Sequence, residues 1–348
     1  MPGLELPGIE LPRAERMVEN LNAALHTLFA AHDDTYLIGE DLLDPYGGAF
    51  KAAKGLSTKY PDRVLTTPLS ENGFLGVANG LALCGNKVIV EIMFGDFVLL
   101  AFDQLCNFGA KSVSMYGSTV PMQLVVRCPV GGHRGYGPTH SQSVQKHFLG
   151  IPNLSLFEMT PLHDNAAVFD RMLTTREPCV LFEDKTLYGQ RRWTTEHDDM
   201  FEFDFLGEHD DYGRARPKGV TADPDCLVIA TGGTAPLALA AARTLVVESE
   251  IMCHLLVPSR LYPLDIDAIA PHIAAAGRVV VVEEGVAGGT WGADVAQRIY
   301  QRHWGALRDR VHLVHSASSI IPSAAHLERD VLVRAESVVS AVRALCPS

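Results

Sequence analysis

Hydrophobic residues recur along this chain in two periods, one typical of helices and one typical of buried strands. From residue 19 onward, Leu21, Ala24, Leu25 and Leu28 fall on one face of a helix. Short runs of β-branched and apolar residues follow, at 35–39, 87–93, 122–128, 154–160 and 178–185. A long segment with a helical pattern, 97–116, separates two of these runs. The alternation predicts a parallel sheet covered by helices.

The pattern changes between residues 186 and 221, where charged and polar residues dominate without an apolar period. We interpret this stretch as a linker. Three further buried-strand runs follow it, at 226–230, 251–257 and 278–282. The sequence therefore predicts the α/β class with two domains, a parallel-sheet domain at 19–185 and a smaller α/β domain at 222–348. Because Pro7 and Pro12 exclude a helix, residues 1–18 are predicted to be an extended N-terminal arm.

Composition narrows the classes of function. The net charge of −12 argues against a nucleic-acid surface, and no apolar run approaches the ~20 residues of a membrane helix. The seven cysteines are odd in number and never form C-x-x-C, which supports neither a disulfide framework nor a zinc knuckle. Paired metal-ligand spacing is absent, and residues 1–18 do not resemble a secretory signal. We expect a soluble, cytoplasmic protein with no metal site of its own.

The stretch 66–76 places one carboxylate, Glu71, at the start of an apolar, glycine-rich helix. Burial there would raise the pKa of this carboxyl, which suits a group that gives a proton to a ring nitrogen near neutral pH. The alternative is that Ser70 caps the helix and Glu71 only favours its positive end. The residues alone leave both interpretations open.

Other candidates lie where predicted strands end, which is where α/β folds bind ligands. The glycine-rich loop 131–143 carries His133, Arg134 and His140, and His140 is predicted to open a helix. His140 could shuttle a proton or could simply face solvent near a helix cap. Phe97 follows another strand and could pack in the core instead. The glycine turns at 231–234 and 285–290 do not form G-x-G-x-x-G and fit ordinary strand-to-helix turns.

Six motifs in register span both predicted domains. They are GED at 39–41, YGGAFKAAKGL at 46–56, TPLSENG at 67–73, FGDFVLLAFDQLCNFGAK at 94–111, GPTHSQS at 137–143 and PLD at 263–265. Together they resemble the beta subunit of the decarboxylase component of 2-oxoacid dehydrogenase complexes, a thiamin-diphosphate-dependent, transketolase-like family. The resemblance implies a pyrimidine-binding domain, then a transketolase-type C-terminal domain. It also implies an alpha subunit in an α2β2 heterotetramer, with the cofactor at the interface between the subunits.

The resemblance also assigns roles to residues. Glu71 matches the glutamate that bonds N1′ of the aminopyrimidine, Phe97 and Leu69 lie beside that ring, and His140 lies near the substrate and the incoming lipoyl group. The family's diphosphate motif is not found, because Gly95 and Asp96 continue directly into a helical segment. Mg²⁺ and the diphosphate are therefore expected on the alpha subunit. Residues 173–178 match the family's potassium-associated loop only loosely, so no potassium site is predicted.

The implied reaction is decarboxylation of a 2-oxo acid, of pyruvate or branched-chain type, with transfer of the acyl unit to a lipoyl-bearing acyltransferase or carrier domain. Two alternatives stay open. GPTH at 137–140 is equally similar to transketolase, and His133 and Arg134 could bind a phosphate or a second carboxylate. A split transketolase-like subunit would transfer a two-carbon ketol unit from a ketose phosphate. A non-catalytic interface subunit is the other alternative.

Overall fold

The computed structural model describes residues 15–346. Its strands, in chain order, are β1 Thr35–Gly39, β2 Val64–Thr66, β3 Lys87–Glu91, β4 Leu124–Val130, β5 Ser155–Glu158, β6 Cys179–Asp184, β7 Phe201–Leu206, β8 Tyr212–Pro217, β9 Cys226–Ala230, β10 Cys253–Pro258, β11 Arg260–Tyr262, β12 Val279–Val286 and β13 His312–Ser316. Its α-helices are α1 Met17–Ala31, α2 Leu56–Lys59, α3 Glu71–Leu83, α4 Ala110–Ser112, α5 Asn165–Thr175, α6 Ala235–Ser249, α7 Ala270–Ala276, α8 Trp291–His303, α9 Ala325–Val331 and α10 Ala335–Leu345. These elements form two sheets with covering helices.

The first sheet has seven strands in the order β11-β5-β6-β4-β3-β1-β2. All neighbours are parallel except β11, which pairs antiparallel with β5. Every residue of β4 and of β6 is buried, because helical segments cover both faces of the sheet. The prediction of a parallel-sheet domain is confirmed.

The second sheet has six strands in the order β13-β12-β9-β10-β8-β7. Its four strands from β13 to β10 are parallel, and β8 and β7 extend it as an antiparallel pair. Helix α6 and helix α10 pack together over one side of this sheet, around a core of valine, leucine and alanine. The predicted smaller second α/β domain is therefore confirmed.

The segment 186–221 differs from the predicted linker, because it contains both strands of the antiparallel pair. Its charges are arranged in register: Asp204 is opposite Arg214, and Glu202 is opposite Arg216. The corresponding ion pairs measure 2.5 and 3.0 Å. Opposite charges placed across a strand pair stabilise it. In β7, Phe201, Phe203 and Phe205 alternate with Glu202 and Asp204, which is a strand period that the linker prediction overlooked.

The two domains are in close contact. Strand β11 belongs to the second domain by its position in the sequence, but it pairs with β5 at the edge of the first sheet. The turn at 231–234 presses against the same sheet, since a Cβ on Gly232 would lie 2.0 Å from the carbonyl oxygen of Met159. A Cβ on Gly233 would lie 2.3 Å from Oδ2 of Asp184. These glycines therefore permit domain contact as well as a turn.

The predicted helix at 97–116 is helical but interrupted. A 3₁₀ segment at Gly95–Ala101 leads into a π-helical segment at Gln104–Gly109 and then into α4. The Asn79 side chain, from α3, donates a hydrogen bond to the carbonyl of Gln104 at 3.0 Å. A side chain that takes a carbonyl out of the regular ladder is a known cause of such bulges. Gly109 allows the approach, because its Cβ would lie 2.8 Å from Oδ1 of Asn79.

At the N-terminus, helix α1 begins at Met17, so the last residues of the predicted arm are helical. Residues 1–14 of that arm lie outside the described residues, and its extended form stays a prediction. Among residues 15–346, no helix has the length and apolar character needed to span a membrane.

Candidate active site

Three predicted site residues lie at one edge of the first sheet. Glu71 is the first residue of α3, which follows β2. Phe97 lies in the 3₁₀ segment that follows β3, and His140 lies in the loop that follows β4. Since these strands are parallel, their carboxyl ends meet at the same edge. Helix α3 also packs directly against the 3₁₀ segment that carries Phe97.

Phe97 and His140 are in direct contact. Their ring centroids lie 5.3 Å apart in an edge-on arrangement, and Phe94 contacts His140 at 4.6 Å in the same way. Nδ1 of His140 lies 2.9 Å from Oγ1 of Thr139. His140 does not open a helix as predicted, because it lies in a turn and the next helical segment begins only at Gln145. The half-buried imidazole is therefore held by aromatic rings rather than by a helix terminus.

Glu71 is buried, with 9% of its surface exposed. Ser70 occupies the N-cap position of α3, yet its side chain makes no capping hydrogen bond. The capping alternative therefore lacks its main interaction. Next to Glu71 lies a second acid that the sequence analysis did not single out. Glu40 follows β1, and the backbone N–H of Thr67 bonds to the carbonyl of Gly39 at 3.0 Å, which brings the two strand ends together.

Glu40 is buried, and its Oε1 has no hydrogen-bond partner among the described residues. Burial, followed by the nearby charge of Glu71, raises the pKa of Glu40 to about 7. The negative charge of Glu71 disfavours ionisation of Glu40, so Glu40 is protonated below about pH 7 and about half protonated at that pH. The available signal was the GED motif at 39–41, to which no role was given.

Leu69 lies two residues before Glu71 and is 80% exposed. Val77 on α3 and Leu100 at the end of the 3₁₀ segment are also largely exposed. We call these three residues the apolar rim. Val77 and Leu100 belong to two elements that pack together, and exposed apolar side chains on neighbouring elements are typical of a surface that another chain covers.

His133 and Arg134 have partners other than the pair of acids. Nε2 of His133 lies 3.2 Å from Oε2 of Glu284, and this hydrogen bond raises the pKa of the imidazole. Arg134 donates to the carbonyl oxygen of Lys185 at 3.0 Å. Glu284 also accepts from the backbone N–H of Gly132 at 2.7 Å. Glu284 of the second domain thus holds the loop on which His140 lies, a function that the sequence did not reveal.

Comparison with known proteins gives a consistent family. Residues 15–190 match the transketolase pyrimidine-binding domain, and residues 217–338 match the transketolase C-terminal domain. The chain is 30% identical to the pyruvate dehydrogenase E1 component subunit beta of Rickettsia bellii, over 94% of this chain and 97% of that protein. The chain belongs to the transketolase-like beta-subunit family. This family's cofactor is thiamin diphosphate.

Other relatives of this beta subunit have different names. The subunit beta of acetoin:2,6-dichlorophenolindophenol oxidoreductase from Cupriavidus necator is 29% identical, over 93% of this chain and 95% of that protein. The mitochondrial pyruvate dehydrogenase E1 subunit beta-1 of Oryza sativa subsp. japonica is 30% identical, over 94% of this chain and 86% of that protein. A solved structure titled "Split gene transketolase, inactive beta4 tetramer" has the same fold, with a TM-score of 0.71, 17% identity and coverage of 95% and 98% of the two chains.

The residues at the sheet edge fit the pyrimidine half of thiamin diphosphate. A buried carboxyl at Glu71 is suited to a ring nitrogen, and the aromatic ring of Phe97 and the exposed Leu69 offer apolar surface. Oε1 of Glu40 adds a polar atom that residues 15–346 leave without a hydrogen-bond partner. Within residues 15–346, no group of three or more His, Cys, Asp or Glu side chains is arranged to hold a metal ion.

Proposed function

We infer that this beta subunit works in a thiamin-diphosphate-dependent 2-oxoacid dehydrogenase that decarboxylates a 2-oxo acid of pyruvate or branched-chain type and passes the acyl unit to a lipoyl group. The observation that carries this proposal is the buried pair of Glu71 and Glu40 at the sheet edge. A subunit that only completed an interface would have no need for an acid with a raised pKa in an apolar site.

Thiamin diphosphate supplies the carbon nucleophile and the electron sink for decarboxylation when it is bound. The residues of this chain then hold and move protons. Glu71 exchanges a proton with N1′ of the aminopyrimidine, and Glu40, with its pKa raised to about 7, can hold or release a proton in the same pocket near neutral pH. Phe97 gives the ring an apolar contact and limits access of water. His140 lies where it can exchange a proton with the substrate or the lipoyl group.

The proposed assembly is an α2β2 heterotetramer. The apolar rim of Leu69, Val77 and Leu100 is the surface that we assign to the partner. Gly73 and Gly80 are exposed on the same helix, and small residues let another element approach closely. The alpha subunit would bring Mg²⁺ and the diphosphate site, and a lipoyl-bearing carrier domain would take the acyl unit.

The decisive experiment replaces Glu71 with Gln in the complex assembled with the alpha subunit. The variant keeps the size of the side chain and loses the proton exchange, so we expect turnover of the 2-oxo acid to fall about 10²–10⁴-fold. Thermal unfolding and the assembly state should stay close to those of the unchanged protein.

Glu336→Gln is the matched control, because Glu336 is an exposed acid in the first turn of another helix, α10. It should leave turnover unchanged. Near-normal turnover of the Glu71→Gln complex would refute the catalytic assignment and favour the non-catalytic interface subunit.

A second assay separates the dehydrogenase from a split transketolase. The assembled complex is given pyruvate, a branched 2-oxo acid or a ketose phosphate, and the mass added to a lipoylated carrier domain is measured. We expect acyl transfer from a 2-oxo acid. His133 and Arg134 are already engaged by Glu284 and by the Lys185 carbonyl, which leaves the ketose phosphate fewer free cations. Transfer from ketose phosphates alone would support the transketolase alternative.

A further inference from the structure

Three of the seven cysteines come together in the second domain, far from the acidic pair in the chain. Cys226 begins β9 and Cys253 begins β10, and the two are partners in the parallel register. Both are fully buried. Cys346 follows the last residue of α10, is partly exposed, and packs against the same hydrophobic core. The cluster therefore contains two buried thiols and one thiol that solvent can reach.

Cys346 lies directly beside the start of β9. Its Sγ is 3.6 Å from the carbonyl oxygen of Asp225, the residue that precedes Cys226. A side-chain hydrogen bond with Cys226 lowers the pKa of the Cys346 thiol, and the same bond raises the pKa of Cys226. The exposed member thus ionises more easily than the buried one. The thiolate is the reactive form of cysteine.

A surface cleft leads to Cys346. It has a volume of about 560 Å³, and its lining includes Cys346, Asp225, Glu248 and Arg343. A small, neutral oxidant can enter such a space. Cys226 follows directly after Asp225, which lines the cleft together with Cys346.

Cys253 is a poorer partner for Cys226. The two lie on neighbouring strands, where backbones are held roughly 4.7–4.9 Å apart. A disulfide needs a Cβ–Cβ separation of about 3.5–4.5 Å, which the sheet hydrogen bonds oppose. Cys346, in contrast, lies outside a helix at its C-terminal end, where its side chain can approach Cys226 without breaking a strand ladder.

We propose that Cys346 and Cys226 are a peroxide-reactive thiol pair that closes to a reversible disulfide. The Cys346 thiolate attacks one oxygen of hydrogen peroxide, the O–O bond breaks, and a sulfenic acid and water form. The sulfur of Cys226 then attacks the sulfenic sulfur and gives up its proton, and a second water leaves. Two thiols and one peroxide give one disulfide and two waters. A dithiol reductant reverses the reaction.

The bond would join the C-terminal end of α10 to the first residue of β9. Helix α10 packs against α6 and against the second sheet, so the link would fix this packing. It would also protect Cys346 from irreversible oxidation. The acidic pair and His140 take no part, and the proposal is independent of the catalytic assignment.

The test uses the full chain in its assembled complex. The complex is treated with hydrogen peroxide, free thiols are alkylated under denaturing conditions, and tryptic peptides are analysed by mass. The sequence suits this assay, because the three cysteines fall on separate peptides, 219–243, 244–260 and 344–348. We expect 219–243 linked to 344–348, with the loss of two hydrogens and full reversal by dithiothreitol.

Cys346→Ser should abolish the linked peptide and leave Cys226 alkylated. Cys84→Ser is the matched control, because Cys84 is an exposed thiol of the first domain outside the cluster, and the link should form in it as in the unchanged protein. A link of Cys346 to Cys253 or to a second chain would overturn the proposal. So would oxidation of Cys346 to sulfinic or sulfonic acid while Cys226 stays reduced.

Discussion

Replacing Arg127 with Met tests how much the buried ion pairs of the first sheet contribute to stability. Arg127, on β4, is 1% exposed and makes three charge-assisted hydrogen bonds. Nε and one terminal nitrogen bond to Glu183 at 2.7 and 2.9 Å, and the other terminal nitrogen bonds to Glu91 at 2.7 Å. Without the guanidinium, the buried carboxyl groups of Glu91 and Glu183 lose the cation to which both are bonded.

The magnitude follows from two opposing effects. Three hydrogen bonds to charged groups, at roughly 1.5–3 kcal/mol each, set an upper range of about 5–9 kcal/mol. The desolvation of three charges offsets part of this, and removing one partner of a buried ion pair costs about 3–5 kcal/mol in practice. We therefore expect Arg127→Met to lower the free energy of unfolding by about 3–5 kcal/mol.

The measurement is urea unfolding of the purified chain, followed by circular dichroism at two pH values. Burial raises the pKa of Glu91, and Arg127 opposes this shift. A carboxyl whose pKa is higher in the folded protein loses stability as pH rises. Since the variant lacks the opposing charge, its deficit should be larger at about pH 8 than at about pH 5.

Arg343→Met is the matched control, because the pair of Arg343 and Glu248 is exposed and measures 2.9 Å. Breaking it should cost about 0.2–1 kcal/mol. If Arg127→Met costs no more than this control, or if its deficit does not change with pH, the reasoning from uncompensated buried charge is refuted.

Three further variants test individual parts of the site and fold. Burial and Glu71 raise the pKa of Glu40 to about 7, so the unchanged protein loses stability as pH rises toward 7, whereas the Glu40→Gln variant does not. The melting temperature of the variant relative to the unchanged protein should therefore increase from about pH 5 to pH 8. A difference that stays constant with pH would contradict the assignment. Phe97→Ala should weaken the retention of thiamin diphosphate by the assembled complex, as measured by equilibrium dialysis. The control Phe102→Ala loses a contact with a core phenylalanine and should lower only the stability. Asn79→Ala should cost about 1–3 kcal/mol in urea unfolding, because the carbonyl of Gln104 loses its side-chain donor.

The positions of the buried strands were predictable because each depends on a short run of neighbouring residues. The predicted strands at 35–39 and 226–230 coincide with β1 and β9. The placement of Glu71, Phe97 and His140 at one edge was also predictable, since parallel strands point their carboxyl ends in one direction. No long-range information is needed for either conclusion.

The antiparallel pair at 201–217 could not be predicted in the same way. Its stability comes from residues opposite each other, such as Asp204 and Arg214, and from the buried Phe201, Tyr212 and Ala215. The alternation of Phe201, Phe203 and Phe205 with acids was a local strand signal, but the pairing with β8 was not, because the partners are separated along the chain. The interruption of the helix at 97–116 has a similar origin, because the donor is Asn79 on another helix.

The features of the site also fall into those that depend on local sequence and those that depend on tertiary contacts. The sequence by itself determined the two α/β domains, the acid at the start of α3 and the absence of the diphosphate motif, because each is a local pattern of residues. Only the tertiary structure paired Glu40 with Glu71, tied His133 to Glu284 and brought Cys346 to Cys226. Such pairs depend on which strands are neighbours, on how the two domains pack and on where α10 lies, and these are decided by the packing of the whole molecule rather than by any one segment.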